Sequence, residues 1–388
     1  MPYLEALRQI RQEFGKNNSL VIHLTLIPYL AAAGELKTKP TQHSVKELLK
    51  TGIQPDILVC RTEYKLTKDL RSKLSLFCNV EKNSVIEALD AKTIYDVPMY
   101  MLKENLDAIV LKKLKLKKGK EPELVAWKEF LGRLKNPTSE VRIGLIGKYN
   151  ELPDAYKSIH EAFVHSGAAN ECKVSVIPIH SEELESSEIK SQLQALDGIL
   201  VAPGFGERGI RGKIKAIKYA RQNNIPFFGI CLGMQCAVVE VFKNVAKLPG
   251  AMSSEINPKA KNLVVDLMPE QLKIKNKGGT MRLGSYKCKI KKGSIAAKAY
   301  GKLEISERHR HRYEFNNKYL KRLEKTGMIA TGINPETNLV EIVEIPEHEF
   351  FIGVQYHPEL KSTVENPHPL FISFIKAAMK HRARNEKA

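Results

Sequence analysis

The stretch GICLGMQ (229–235) sets Cys231 between an apolar run, NNIPFF (223–228), and the start of a helical pattern. Glycines at 229 and 233 relieve crowding at a tight strand-to-helix turn, the geometry of a nucleophile elbow with cysteine in place of serine. A thiol at a helix N-terminus is favoured as thiolate, and the turn points backbone N–H groups at whatever the sulfur attacks. On the GxCxG spacing alone, a buried cysteine packed as a small apolar residue is an equal reading. Two further stretches favour the nucleophile. FFIGVQYHPEL (350–360) runs as a strand into His357, with Glu359 spaced to turn back and hold an imidazole nitrogen. Cysteine, histidine and carboxylate then supply nucleophile, base and orienter. LVAPGFGERG (200–209) ends a strand in a glycine loop one helix before the cysteine, so the amides of Gly204 and Leu232 are expected to face one oxyanion.

These residues need a sheet whose strand ends share one edge. The second half supplies the alternation: strands at 141–149, 173–181, 198–203 and 226–231, with helices at 156–167, 187–198 and 214–224 between them. KNLVVDL, YKCKI, LVEIVEI and FFIGVQY read as shorter strands after these. Strand–helix alternation predicts a doubly wound, flavodoxin-like parallel sheet with right-handed crossovers.

The first half reads as a smaller set of such units on a parallel sheet, which the family resemblance given below implies to be an incomplete half of P-loop type. Strands are expected at 19–30, 55–61 and 74–80, with helices at 44–52, 82–91 and 93–114. A Lys/Gly/Pro-rich shift with one amphipathic helix carrying the only Trp marks a linker at 119–140. The domains expected are 1–118 and 141–380, followed by a basic tail at 381–388.

At 388 residues, two cores are affordable. Six cysteines without a CxxC pair argue against a disulfide framework and against zinc, and favour a reducing, cytoplasmic setting. No run of about 18 apolar residues exists to span a membrane. The net charge of +19 gathers partly in lysine runs such as LKKLKLKKGK (111–120), a pattern of solvated surface more than of a groove reader, so no nucleic-acid or membrane partner is expected.

Together LVAPGFG, GICLGMQ and GVQYHPE resemble the triad-type (class I) glutamine amidotransferase domain over residues 141–380. The resemblance implies that Cys231 attacks the glutamine side-chain amide to form a γ-glutamyl thioester, with His357 as general base then acid and Glu359 as orienter, and no cofactor. It also implies glutamine contacts from Gly204, Leu232, Gly233, Met234 and Gln235. Pro203 departs from a second glycine frequent in the family.

KYNELPDAYKSIHEAF (148–163), GGTMRLG (278–284) and SERHRHRYEFNN (306–317) are similar to stretches of the CTP synthase family. That resemblance implies that Glu255 and Arg312 hold the glutamine ammonium and carboxylate. Read without it, RHRHRYE is an exposed basic strand, and a metal site at His309 and His311 is not expected. Residues 31–61 resemble the second half of the family's amidoligase (synthetase) domain. Lys37, Thr38, Lys39, Pro40, Thr41, Gln42 and Lys73 are thereby implied at UTP, or CTP as feedback inhibitor, and Arg61 and Asp90 around the ATP adenine. By itself KTKPTQ is a basic loop with phosphate-binding potential.

The family further implies Mg-ATP, GTP as allosteric activator, and a homotetramer. Its reaction is ATP-dependent amination of UTP to CTP with ammonia from glutamine, a C–N ligation in pyrimidine biosynthesis. Family members also carry a glycine-rich phosphate loop and magnesium carboxylates. The present sequence contains no GxxxxGK[ST], and IGLIGKY has the wrong spacing. The expectation is an N-terminally truncated chain with no metal site, retaining only the glutaminase half-reaction. The alternatives are a free-standing glutaminase and a non-catalytic assembly or regulatory fragment.

Overall fold

The computed structural model describes residues 2–386 except 16, 118, 150, 152–153, 187 and 268–280. Parts of the stretches singled out above lie outside the described residues: Asn150, Leu152 and Pro153 of KYNELPDAY, and Gly278, Gly279 and Thr280 of GGTMRLG. The chain divides into two compact units, Met1–Leu124 and Val125–Ala388.

In the first unit the strands Ile22–Ile27, Ile57–Thr62 and Val85–Leu89 form a parallel sheet in that order. Ile27, Leu58, Cys60 and Val85 pack with Val45, Leu66, Leu74 and Cys78 as its core. The other face of the first strand stays open, with Ile22, Leu24 and Leu26 between 45% and 68% exposed.

Two expectations are exchanged here. Residues 74–80, read as a strand, belong to the helix Lys68–Cys78, and the helix read at 82–91 contains the strand Val85–Leu89. Thr67 starts that helix by accepting the Leu70 N–H, and Leu74 and Cys78, four apart, bury one face while Leu76 and Phe77 stay exposed. Val85 and Ile86 instead find a parallel partner in Ile57–Thr62. Short apolar runs fit either period, and pairing decides. KTKPTQ likewise enters a helix: Lys37 and Thr38 precede it, and Lys39 to Gln42, with Pro40, form the first turn of Lys39–Lys50. Residues 93–114 break into the helices Val97–Lys103 and Leu106–Lys113, with Asn105 left-handed between them.

The second unit is built on a nine-stranded sheet. Its order is Glu304–His311, Arg282–Ile290, Ile329–Ile333, Val340–Glu344, Phe351–Val354, Phe227–Ile230, Gly198–Val201, Ser139–Gly147, Cys172–His180. The last five run parallel, whereas the first four strands pair antiparallel up to Phe351–Val354. The sheet is therefore doubly wound only in its parallel half. Two apolar layers cover the faces. One contains Ile210, Ile214 and Ile217 with Val238 and Phe242; the other contains Ile159 and Phe163 with Phe371 and Phe374.

Both ends of this unit differ from expectation. The helix Val125–Lys135, read as linker, buries Phe130 and Leu131, and the first strand already begins at Ser139. The helix Pro369–Asn385 runs through most of the expected basic tail because His381 is buried and Arg382 donates to the Glu140 carbonyl at 2.7 Å.

Candidate active site

Cys231 ends the central strand Phe227–Ile230 and caps the helix Leu232–Asn244, with φ 53° and ψ −105°. A β-carbon makes a positive φ costly, so the packing must hold it. A Cβ built on Gly229 would lie 2.8 Å from the Gly233 carbonyl carbon, and one on Gly233 would lie 2.2 Å from the Val201 carbonyl oxygen. Only glycine permits this approach of helix to strand. The Cys231 N–H donates to the Val354 carbonyl at 2.7 Å, tying the turn to the strand that carries the base.

His357 follows that strand, and Glu359 lies in the short turn Pro358–Leu360. His357 Nδ1 and Glu359 Oε1 are 2.7 Å apart, with both residues under a tenth exposed. The His357 N–H donates to the Arg308 carbonyl at 2.8 Å, and Nε2 is buried with no hydrogen-bond partner among the described residues. Burial opposes charge on this imidazole. The neighbouring Cys231 sulfur and the Glu359 carboxylate outweigh it and raise the histidine to about 10. Glu359 thus orients the histidine from behind, and the Cys231 sulfur lies beside its ring.

The loop after Gly198–Val201 closes the other side. A Cβ on Gly204 would meet Leu232 Cδ2 at 3.5 Å, so these two oxyanion candidates are adjacent. Glu255 accepts the Gly206 N–H at 2.7 Å. Burial raises the Glu255 carboxyl, and the Gly206 N–H with Lys148, Arg312 and Lys213 offset part of that rise. Glu255 and Arg312 thus lie within electrostatic reach of each other. Gln235, nearly buried, donates from Nε2 to the Tyr313 carbonyl at 2.9 Å and to Gln355 Oε1 at 3.2 Å, while its own Oε1 has no partner among the described residues. Met234 is buried against Gly353.

Three residues escaped the sequence reading. Gln355 donates from Nε2 to Cys231 Sγ at 3.7 Å. Lys213 is fully buried, donates to the Ala202 carbonyl at 2.8 Å and is lowered by burial to about 8. Lys148, also buried, donates to the Phe205 carbonyl. Signals existed for two of them. Gln355 stands two residues before His357, and Lys213 stands three residues after Ile210 and one before Ile214 on an apolar helical stripe.

His309 and His311 lie on an alternating strand and are buried, whereas Arg308 and Arg310 face out, so only half of RHRHRYE is an exposed basic face. His311 pairs with Glu314 at 2.6 Å, and Arg282 with Glu314 at 3.1 Å and Glu341 at 2.8 Å. Among the described residues no group of three His, Cys, Asp or Glu could hold a metal.

In the first unit the implied nucleotide residues are arranged differently. Thr41 donates to the Leu26 carbonyl at 3.1 Å and Gln42 to Thr38 Oγ1 at 3.1 Å, all three buried. Lys39 and Pro40 are exposed. Lys37 pairs with Glu35, whose carboxyl is lowered first by Lys37 and then also by exposed Lys73. Arg61 and Asp90 pair at 2.8 Å across adjacent strand ends.

Residues 1–116 match the family "CTP synthase N-terminus" and residues 151–377 the family "Glutamine amidotransferase class-I". A CTP synthase of Cytophaga hutchinsonii is 65% identical over 97% of this chain and 70% of its own length. That of Christiangramia forsetii is 59% identical over 100% of this chain and 71% of its own. The chain belongs to the CTP synthase family. CTP synthases are glutamine-hydrolysing ligases, and both of the family's domains are represented here. The expectation of a truncated start is not borne out by these matches. A solved Trypanosoma brucei CTP synthase glutaminase domain with bound acivicin is 41% identical, with TM-score 0.59 over 62% of this chain and 94% of that one. Among the described residues no helix is long and apolar enough to cross a membrane.

Proposed function

We propose that Cys231, His357 and Glu359 carry the glutaminase step of the family's CTP-forming reaction. The observation that carries this reading is the His357–Glu359 pair set beside a cysteine held at positive φ on a helix N-terminus. The Cys231 sulfur adds to the glutamine side-chain amide carbon, and the amides of Gly204 and Leu232 receive the oxyanion. His357 Nε2 gives its proton to the departing nitrogen, so ammonia leaves and a γ-glutamyl thioester remains. Water then adds, passing a proton to His357, and glutamate departs. Glu255 and Arg312 take the glutamine ammonium and carboxylate, and Gly233, Met234 and Gln235 wall the same pocket.

For the ligase step we propose UTP as substrate, or CTP as inhibitor, at Lys37, Thr38, Lys39, Pro40, Thr41, Gln42 and Lys73, and the ATP adenine near Arg61 and Asp90. What supports this is charge: Lys37 and Lys73 converge on Glu35, and a triphosphate is a stronger partner than one carboxylate. The described residues offer no group of three His, Cys, Asp or Glu that fits Mg²⁺. GTP activation, a cytoplasmic setting and a homotetramer are proposed on family membership alone.

The test is an acid quench during turnover with saturating glutamine, followed by peptide mass analysis. A γ-glutamyl adduct on Cys231 is expected. Glutamate release with no adduct on Cys231 would overturn the assignment.

A further inference from the structure

Gln355 stands two residues before His357, in the bend that links the strand Phe351–Val354 to the turn Pro358–Leu360. It is fully buried, and its backbone N–H donates to the Glu341 carbonyl at 2.9 Å. The direction of its side-chain amide follows from its neighbours. Gln235 Nε2 lies 2.9 Å from the Tyr313 carbonyl oxygen, which can only accept, so that end of Gln235 carries the hydrogens. The same nitrogen lies 3.2 Å from the Gln355 side chain, which must therefore turn its oxygen towards Gln235. The remaining NH₂ end faces Cys231 Sγ at 3.7 Å, within reach of an N–H···S bond.

We propose that Gln355 is a further catalytic residue of the glutaminase step, donating a hydrogen bond to the Cys231 sulfur. The proposal rests on Cys231 being the nucleophile. A thiolate buried to 3% exposure has lost its water, and a fixed neutral donor replaces part of that solvation. The donor acts twice. Before attack it favours the thiolate over the thiol. When water adds to the thioester carbon and gives its proton to His357, the C–S bond breaks with its electron pair on sulfur, and the same N–H receives that charge. Gln235 is then a positioning residue, locking the Gln355 amide the right way round.

The experiment compares the full chain with Gln355→Leu and Gln355→Glu. Cys231 alkylation by iodoacetamide is followed by mass spectrometry from pH 5 to pH 9, beside glutamate release and thermal unfolding. Loss of a hydrogen bond to a charged group predicts, for Gln355→Leu, about tenfold lower kcat with KM within about twofold. The alkylation midpoint should rise by about one pH unit. Gln355→Glu keeps the shape but sets an acceptor against the sulfur, so it should lose more than Gln355→Leu, an order that packing alone does not predict. An unchanged midpoint with kcat within about twofold in Gln355→Leu would overturn the proposal. If Gln355→Leu does not fold, wild-type behaviour of Gln355→Glu overturns it equally. A wild-type chain that neither alkylates at Cys231 nor releases glutamate sinks the nucleophile assignment itself, a separate result.

Discussion

Arg61 with Asp90 in the first unit, and His357 with Glu359 in the second, are both charged pairs formed at strand ends, at 2.8 Å and 2.7 Å. Their surroundings differ. The Arg61 and Asp90 side chains are 65% and 44% exposed, whereas those of His357 and Glu359 are 10% and 5% exposed. In water an ion pair gains little and re-forms readily around another partner. In the buried site the polar atoms with no partner among the described residues, Glu359 Oε2 and Gln235 Oε1, each cost on the order of 1–3 kcal/mol. They persist because the glycine-permitted turn and the covered sheet over-determine their positions. The first unit is poised to exchange partners, and the second to hold reacting groups in place.

This contrast can be broken most directly at the nucleophile. Cys231→Ala should lower glutamate release by at least about a thousandfold while the unfolding midpoint stays near wild type. Retained hydrolysis would remove the reason for the buried pair. The pH response comes next. The raised His357 contributes stability that is full below its unfolded value near 6.5 and is lost as pH climbs through about 10. Glutamate release should fall about tenfold per pH unit above that point, because the imidazolium acid is gone, while alkylation of Cys231 continues. Parallel loss of both would mean unfolding in place of titration.

Smaller still, Glu255→Gln should raise KM for glutamine about tenfold with kcat changed much less, measured as initial glutamate release. An unaltered KM would place the substrate ammonium elsewhere. The least effect belongs to the exposed pair. Asp90→Asn should shift unfolding by no more than about 0.5 kcal/mol in urea titration. A cost above about 2 kcal/mol would erase the distinction between the two pairs.

Cys231, His357, Glu359 and Gly204 could be singled out because each lies in a segment that follows a strand, within a short stretch whose glycines or proline report the local turn. Glu255 and Arg312 were placed only by resemblance, and the structure adds their common neighbourhood with Gly206. The exchange at 74–80 and 82–91 has the opposite cause. Runs of four to seven apolar residues satisfy both periods, and Val85–Leu89 becomes a strand because Ile57–Thr62 offers it hydrogen bonds. The antiparallel half of the large sheet was missed for the same reason, since a short strand carries no label for its partner's direction.

The sequence by itself determined which groups could react, because spacing along the chain fixes a helix N-terminus and the segments that follow strand ends. Only the tertiary structure decided their burial and partners. The amide of Gln355 meets a sulfur 124 residues away, and Lys213 lies buried against the Ala202 carbonyl 11 residues before it. Burial sets the cost of leaving either group unpaired, and burial is a property of the packed sheet and not of any one stretch.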